Sequence, residues 1–510
     1  MDTIKLKHQF CITFCLLFLC LSTPDLYARD KKLANLQTLY SNSERLHINE
    51  IIFTDRVTEL VITAKGKIFE EYIISKEAYI SDENNNKHQV KYAIGIKLDT
   101  PSYIPRSGEN KIRLFFEPME KPMEIFDFID PKRTKIYGIH QKRRRKWDFE
   151  KNVPTNINSD SLNKAGTALI RGKINRFYHS KDTVEIKFDV NTLETYTKVI
   201  PYEESRPHTL LSKDNTFKVE LPLEHPIWSY FTIGKRNIPF YICPNDTLDI
   251  NINCRVEDWD IEYSSTRHNE TCSNLMKHVN FPIVKYTWEE LTNFGRQQDV
   301  DYFLQRVNEC VEKNMRMCNY WAWKYGFSAW ERHLLINHVK IHLFERNIFY
   351  AAKFFNNKVK WNTRLDMKKE DFIGFDYSAY KILNILPLND PTLSVVRFWD
   401  TCPYSLEMSD PAVYPRSYVK FDDDIKDETQ AFEKLCEMQI QNFQELISTK
   451  EIPWVIQTFL VNKIIKIESN EEREKAVKII ETYLTYPSLK ERLWKMYDLL
   501  KKRQLSQEKE

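Results

Sequence analysis

The hydrophobic period of this chain changes near residue 256, and that change constrains its fold more than any other feature. Before that point apolar and polar residues alternate, as in Val184–Val190 and Phe217–Leu223. A period of two places successive side chains on opposite faces of a strand, one buried and one in water. After that point apolar residues recur every three or four positions, as they do on one face of an α-helix. The sequence therefore predicts a β-rich N-terminal part and a mostly α-helical C-terminal region.

The clearest alternation runs over Leu169–Cys254 and predicts a compact antiparallel β module at residues 165–255. Near its end, Phe240–Ile242 and Leu248–Ile252 flank the turn sequence that begins at Pro244. Proline cannot donate to a strand ladder, so it belongs in the turn. We therefore expect these two runs to form a β-hairpin.

Residues 46–140 predict a second β domain, because short strand-like runs follow one another there with no helical period between them. The expected strands are Val57–Thr63, Glu77–Ile80, Tyr92–Leu98 and Ile112–Phe116. A basic and polar segment, residues 141–164, follows and contains the run Lys142–Lys146. This run is either a contact for anionic lipid or polysaccharide or a solvated linker.

The fold class is thus α+β multidomain, with two antiparallel β-sandwich-like N-terminal modules before the α-helical domain at 256–500 and a polar tail at 501–510.

Residues 1–28 have the pattern of a secretion signal. Lys5 and Lys7 precede the apolar run Phe10–Leu21, and Ala28 supplies a small residue for cleavage. The run is too short for a permanent membrane span, and no later segment has the roughly 20 apolar residues that one needs. We expect a secreted, periplasmic or envelope-associated protein without a transmembrane span. Lipidation at Cys20 is an open alternative.

Composition excludes several classes of function. The net charge of +3 is close to balance, which argues against nucleic-acid binding. Only 10 residues are glycine, and no P-loop or G-x-S-x-G motif occurs. Phosphate-cradling loops and nucleophile elbows depend on glycine, so common nucleotide-binding enzymes and hydrolases are not indicated.

A few residues are candidates for a site. His338 and His342 are four positions apart on a predicted helix, a spacing that suits two metal ligands, although the sequence offers no third ligand. Buried structural histidines are the alternative. The aromatic residues of Tyr320–Trp323 and Trp330 suit either ligand stacking or a core. Cys310 lies on a helical pattern, as does Cys318, and both are expected to be buried.

The order of these segments resembles the non-redox part of Bacteroidetes envelope proteins, namely TlpA-like thioredoxin proteins and relatives with a DUF4369-like module. The motifs that carry the resemblance are Leu114–Pro118, Ile125–Asp130, Tyr137–His140, Phe217–Pro222 and Phe240–Ile250. At Asn245 that family's pattern has glycine, and asparagine is the other residue that tolerates a positive φ.

The resemblance implies a C-terminal thioredoxin domain with a Trp-Cys-x-x-Cys pair, which this chain lacks. Its nearest equivalent is Cys402, followed by Ser405 in the resolving position. Two hypotheses follow. The first is a non-catalytic envelope protein that binds or scaffolds an unknown protein or envelope component, with no cofactor. The second is a degenerate thioredoxin-like protein that acts through the thiol of Cys402.

Overall fold

The computed structural model describes residues 31–119, 123–142, 147, 149, 165–177, 184–190, 207–254, 259–266, 272–285, 290, 300–344, 377–396 and 428–507. The predicted signal with Cys20, the basic residues Arg143–Lys146, residues 151–164 and the segment around Cys402 lie outside the described residues. The chain divides into two compact units, Met1–Asp148 and Phe149–Glu510.

The described part of the first unit is all β. Its strands pair in the order β1-β4-β5-β10-β8-β7-β11-β12-β2, with β3 also on β12 and a separate pair β6-β9, and every pair is antiparallel. The strands are β1 (Lys31–Ala34), β2 (Leu36–Gln37), β3 (Tyr40–Ser41), β4 (Leu46–Phe53), β5 (Thr58–Lys65), β6 (Glu71–Tyr72), β7 (Tyr79–Ser81), β8 (Lys87–Ile94), β9 (Ser102–Tyr103), β10 (Glu109–Phe116), β11 (Ile125–Ile129) and β12 (Lys135–Gln141).

Leu33 of β1 and Leu36 of β2, from the two ends of this strand order, pack in one core together with the fully buried Leu60 of β5 and Phe126 of β11. The sheet must therefore curl until its ends face each other, as in a sandwich. The strand predicted at Tyr92–Leu98 lies instead at Lys87–Ile94, because Gly95, with φ 91°, follows its last residue and bends the chain.

The two aspartates of the Ile125–Asp130 motif are structural. Both are buried, and each carboxylate accepts backbone hydrogen bonds: Asp127 from the N–H of Gly138 at 2.7 Å, and Asp130 from the N–H of Ser75 at 2.8 Å. Buried carboxylates need such donors, so these residues tie neighbouring segments together.

The second unit begins with a sandwich of two four-stranded sheets, β16-β13-β19-β20 and β15-β14-β17-β18, around one core. Its strands are β13 (Gly166–Asn175), β14 (Glu185–Phe188), β15 (His208–Leu210), β16 (Thr216–Leu223), β17 (Ile227–Ile233), β18 (Arg236–Ile242), β19 (Thr247–Cys254) and β20 (Trp259–Ser265). All pairs are antiparallel except β13 with β19, which is parallel.

The predicted hairpin between Phe240–Ile242 and Leu248–Ile252 is wrong. The first run lies in β18 and the second in β19, which belong to opposite sheets. Asn245 has φ 61°, as its glycine-like position predicted, and helps the chain cross between the sheets. The buried carboxylate of Asp246 accepts hydrogen bonds from the hydroxyl of Ser265 at 2.5 Å and the N–H of Thr247 at 2.7 Å. These bonds hold the start of β19 beside the end of β20.

The C-terminal region is helical, as predicted, but the helices begin after β20 rather than at residue 256, because Trp259–Ser265 pairs with β19 as the last strand of the sandwich. Its helices are α1 (Ser273–Lys277), α2 (Val300–Lys324), α3 (Ala329–Leu343), α4 (Glu428–Ile447), α5 (Trp454–Asn462), α6 (Asn470–Tyr483) and α7 (Pro487–Gln507), with 3-10 segments at Tyr377–Ile385, Pro391–Val395 and Lys463–Lys466. The last helix includes most of the segment that we expected to be a polar tail. Over the described residues, none of the helices combines the length and apolarity that a bilayer crossing requires.

Candidate functional site

The histidine pair predicted from spacing lies at a packed surface between helix and sheet. His338 and His342 sit one turn apart on α3 with ring centroids 6.3 Å apart, and the ring of His338 lies 4.6 Å from that of Trp228 on β17. Within the described ranges, no group of three or more His, Cys, Asp or Glu side chains is placed to hold a metal ion. The packing favours the structural interpretation of these histidines.

The described cysteines are mostly buried, as expected for Cys310 and Cys318. Burial raises the pKa of Cys310 and of Cys436 to about 11, and it also raises the pKa of Cys318. A thiol with so high a pKa carries almost no thiolate at neutral pH, so these groups are poor nucleophiles. Cys402, the candidate thiol of the second hypothesis, lies outside the described residues.

The predicted aromatic cluster is largely core. Tyr320 and Trp321 are buried, whereas Trp323 is 37% exposed. Trp330 donates from its Nε1 to the hydroxyl of Tyr241 on β18 at 3.0 Å, which joins α3 to the sandwich. Tyr320 and Trp321 are therefore not accessible for a ligand to stack on, as the stacking hypothesis requires.

A polar cluster around Asp390 lies at the N-terminus of a 3-10 helix. Asp390 is the N-cap of the segment Pro391–Val395, and its carboxylate contacts the Nε2 of His333 at 2.9 Å and accepts from the hydroxyl of Thr392 at 2.6 Å. Burial alone would raise the pKa of Asp390, but the hydrogen bonds from His333 and Thr392 hold it at about 2. Thr392 is buried, so this arrangement joins α3 to the following segment and presents no accessible nucleophile.

The outward side of the sheet β16-β13-β19-β20 is polar and open to solvent, and we call it the polar face. Alternation places Arg171, Lys173 and Asn175 of β13 on this side. The parallel register sets them opposite Asp249, Asn251 and Asn253 of β19. Two rows of polar side chains from distant parts of the sequence thus lie side by side.

Charged and amide groups are paired across these rows. The guanidinium of Arg171 donates from Nε and Nη2 to the two carboxylate oxygens of Asp249, each at 2.7 Å. This bidentate pair raises the pKa of Arg171, so the guanidinium stays charged at any physiological pH. It lies at the surface, with side-chain exposures of 54% and 44%.

Three asparagines continue the rows. The Nδ2 of Asn175 donates to the Oδ1 of Asn251 at 2.7 Å and to that of Asn253 at 2.9 Å. The Nδ2 of Asn251 in turn donates to Glu262 of β20 at 3.3 Å. Because each amide offers two donors and two acceptor lone pairs, the ladder keeps hydrogen-bonding capacity that faces solvent.

An open cleft of ≈ 1000 Å³ covers the polar face. Its lining includes Arg171, Lys173, Asn175, Asp249, Asn251 and Glu262. Cationic and anionic side chains are interspersed along this lining, so the electrostatic potential of the cleft is not uniformly positive or negative. Its chemistry suits a neutral, hydroxyl-rich ligand that exchanges many hydrogen bonds, rather than a polyanion.

The sequence predicts that these side chains face solvent, but it does not predict that they are neighbours. The visible signal is the alternation in Asp249–Asn253, where each outward residue is a carboxylate or an amide. Only the parallel pairing of β13 with β19 shows that Arg171 is the neighbour of Asp249.

No protein-family model matches the chain, and no curated protein matches it. A crystal structure from Bacteroides uniformis ATCC 8492, described as a "putative cell adhesion protein", is similar over 42% of this chain and 76% of its own. The identity is 9% and the TM-score is 0.13, values at which the similarity carries no argument about fold or function. The expected relation to TlpA-like and DUF4369-like proteins stays a prediction.

Proposed function

We propose that this chain is a non-catalytic protein of the bacterial cell envelope, related to the non-redox part of TlpA-like proteins, and that its polar face binds a saccharide chain. The observation that supports this function is the open cleft lined by Arg171 and Asp249 and by two asparagines of the ladder, Asn175 and Asn251.

A sugar ring presents adjacent hydroxyl groups that both donate and accept hydrogen bonds. Side-chain amides and a bidentate guanidinium–carboxylate pair offer both roles at fixed positions. The asparagines of β13 and β19 are held by one another and by the sheet, so little conformational entropy is lost when a ligand binds. A row of such groups along parallel strands suits an extended chain of several residues.

The test is binding of the purified protein to a glycan array, followed by calorimetry on the oligosaccharides that bind. The variants are Arg171→Ala and Asn251→Ala, each of which removes a hydrogen-bonding group from the cleft. We expect Arg171→Ala to weaken binding by roughly tenfold or more and Asn251→Ala by roughly two- to tenfold, because a hydrogen bond contributes about 1.5–3 kcal/mol with a charged group and about 0.5–1.5 kcal/mol between neutral groups.

Glu220→Ala is the matched control, because Glu220 lies on the same sheet, is exposed, and does not line the cleft. An exposed ion pair contributes only about 0–1 kcal/mol to stability, so all three variants should fold. If no oligosaccharide binds, or if Arg171→Ala and Asn251→Ala bind as the native protein does, the proposed function is wrong.

A further inference from the structure

Two adjacent loops of the first unit, at residues 66–70 and 104–108, lie next to three exposed apolar side chains. The N–H of Gly66 donates to the carbonyl of Gly108 at 3.3 Å, and the N–H of Phe69 donates to the carbonyl of Ile104 at 2.9 Å, so the loops lie side by side. Two of these side chains lie on the first loop and the third lies at the end of β9, just before the second loop, and we call this set the apolar tip: Ile68 (51% exposed), Phe69 (70%) and Tyr103 (55%).

The backbone at Phe69 is unusual. Its φ is 64°, and among the described non-glycine residues with a positive φ it is the one aromatic. The N–H of Glu70 donates to the carbonyl of Lys67 at 3.0 Å, which makes Phe69 the third residue of a tight turn. Glycine or asparagine suits that position, and a bulky side chain is strained there. Strain of this kind is typical of functional sites, where it holds a side chain in place.

The turn is held by hydrogen bonds and an ion pair of Arg45 and Glu70, and not by its own apolar side chains. Arg45 donates from Nη1 to the carbonyl of Glu71 at 2.9 Å and forms an ion pair with Glu70. The carboxylate of Glu70 also accepts from the N–H of Lys67 at 3.0 Å. The loop therefore keeps its shape without help from the exposed side chains of Ile68 and Phe69.

The charged side chains beside the apolar tip are mixed, but its cations outnumber the carboxylates that lack a cation partner among the described residues. Lys67 and Arg106 are exposed on the same two loops, and neither takes part in an ion pair with any described residue. Lys65 is also exposed, 3.6 Å from Glu109. Lys67 and Arg106 against the exposed Glu71 leave one net positive charge next to the tip. Exposed apolar side chains beside a net positive charge match the layered chemistry of an anionic bilayer, which has acyl chains below and phosphate groups above.

The size of the apolar tip favours a lipid surface over a protein partner. With roughly 150–250 Å² for each large side chain, its exposed area is roughly 350 Å². A stable protein interface needs about 800 Å² from each partner and close shape complementarity. A fluid bilayer needs neither. We propose that the apolar tip inserts into the surface of an anionic phospholipid bilayer, with Lys67 and Arg106 at the level of the headgroups.

The experiment is co-sedimentation of residues 29–510, in which no lipid on Cys20 contributes, with vesicles of phosphatidylglycerol and phosphatidylethanolamine or of phosphatidylcholine alone. We expect binding to the first vesicles and much weaker binding to the second. Phe69→Asn removes the inserting ring, and asparagine accepts the positive φ. It should lower the partition coefficient by roughly tenfold or more, while the denaturant midpoint stays unchanged or rises.

Lys67→Glu combined with Arg106→Glu should weaken binding by roughly tenfold on phosphatidylglycerol vesicles and leave phosphatidylcholine binding unchanged. Tyr92→Asn is the matched control, because Tyr92 is a 47% exposed aromatic on the sheet of the same unit. The proposal is overturned if the native protein does not sediment with anionic vesicles, or if Phe69→Asn binds as well as the native protein. It is also overturned if Tyr92→Asn loses as much binding, or if the apolar tip instead forms a dimer that Phe69→Asn abolishes.

Discussion

Gly172 allows a large aromatic side chain to lie flat on the strand that forms the middle of the polar face. It pairs with Phe217 across β13 and β16, on the side of the sheet that faces the core. A Cβ atom on Gly172 would lie 2.0 Å from both Cε1 and Cζ of Phe217. That ring has little room to move, since Phe231 and Phe188 pack against it with centroids 5.6 and 6.4 Å away.

We therefore expect Gly172→Ala to destabilise the second unit. Forcing a methyl group into a packed core costs about 1–3 kcal/mol, and often more when the neighbour is held on several sides. Replacement of glycine recovers about 0.5–1 kcal/mol through the unfolded chain. The expected net loss is about 1–2 kcal/mol in the free energy of unfolding. Trp147 is the single tryptophan of the first unit, so tryptophan fluorescence during urea unfolding reports mainly on the second.

The decisive measurement is a double-mutant cycle with Phe217→Ala. That substitution alone should cost about 3–5 kcal/mol, because it leaves a cavity in the core. With the ring absent, Gly172→Ala should be neutral or slightly stabilising, which gives a coupling energy of about 2 kcal/mol between the two positions. If Gly172→Ala costs as much without the ring as with it, a steric clash with Phe217 is not the reason for glycine here.

Two further predictions concern titration and thiol reactivity. Burial lowers the pKa of His278, whose ring stacks on Tyr325 at 3.8 Å, to about 4. Below about pH 6.5 this histidine is therefore protonated in the unfolded chain but stays neutral in the folded chain. The free energy of unfolding should fall by about 1–3 kcal/mol between pH 6.5 and 4, after allowance for solvent screening. Urea unfolding of His278→Gln should show a smaller loss over that range, and an equal loss would contradict this assignment. Iodoacetamide at neutral pH should leave Cys310 and Cys436 unlabelled until the protein is denatured, because their pKa values are about 11. Rapid native labelling of either would refute their burial, whereas native labelling of Cys402 alone would support the thiol hypothesis.

Much of the secondary structure could be predicted because its signals are local. The alternation in Phe217–Leu223 is confirmed by β16, and the period of three and four residues expected in the C-terminal region is confirmed by helices such as α2. Asn245 was expected to adopt a positive φ on chemical grounds, and it does. These features depend on residues within a few positions of each other, so the sequence alone carries them.

The prediction that depended on which strands pair with each other was wrong. The hairpin around Pro244 was expected because short turns between apolar runs usually connect neighbouring strands. Here the carboxylate of Asp246 bonds to Ser265 and Thr266 instead, and β19 pairs with β13 and β20. An alternating pattern identifies the buried side of a strand but contains no information about which strand lies beside it.

The sequence by itself therefore determined that strands come before helices, which side chains face the core, and which polar residues remain in water. The tertiary structure alone decided that Arg171 meets Asp249, 78 positions away, and that three asparagines form one ladder beside them. The physical reason is that backbone hydrogen bonds are the same for every strand. The choice among possible neighbours comes from side-chain packing over the whole core, as where the ring of Phe217 lies against Gly172.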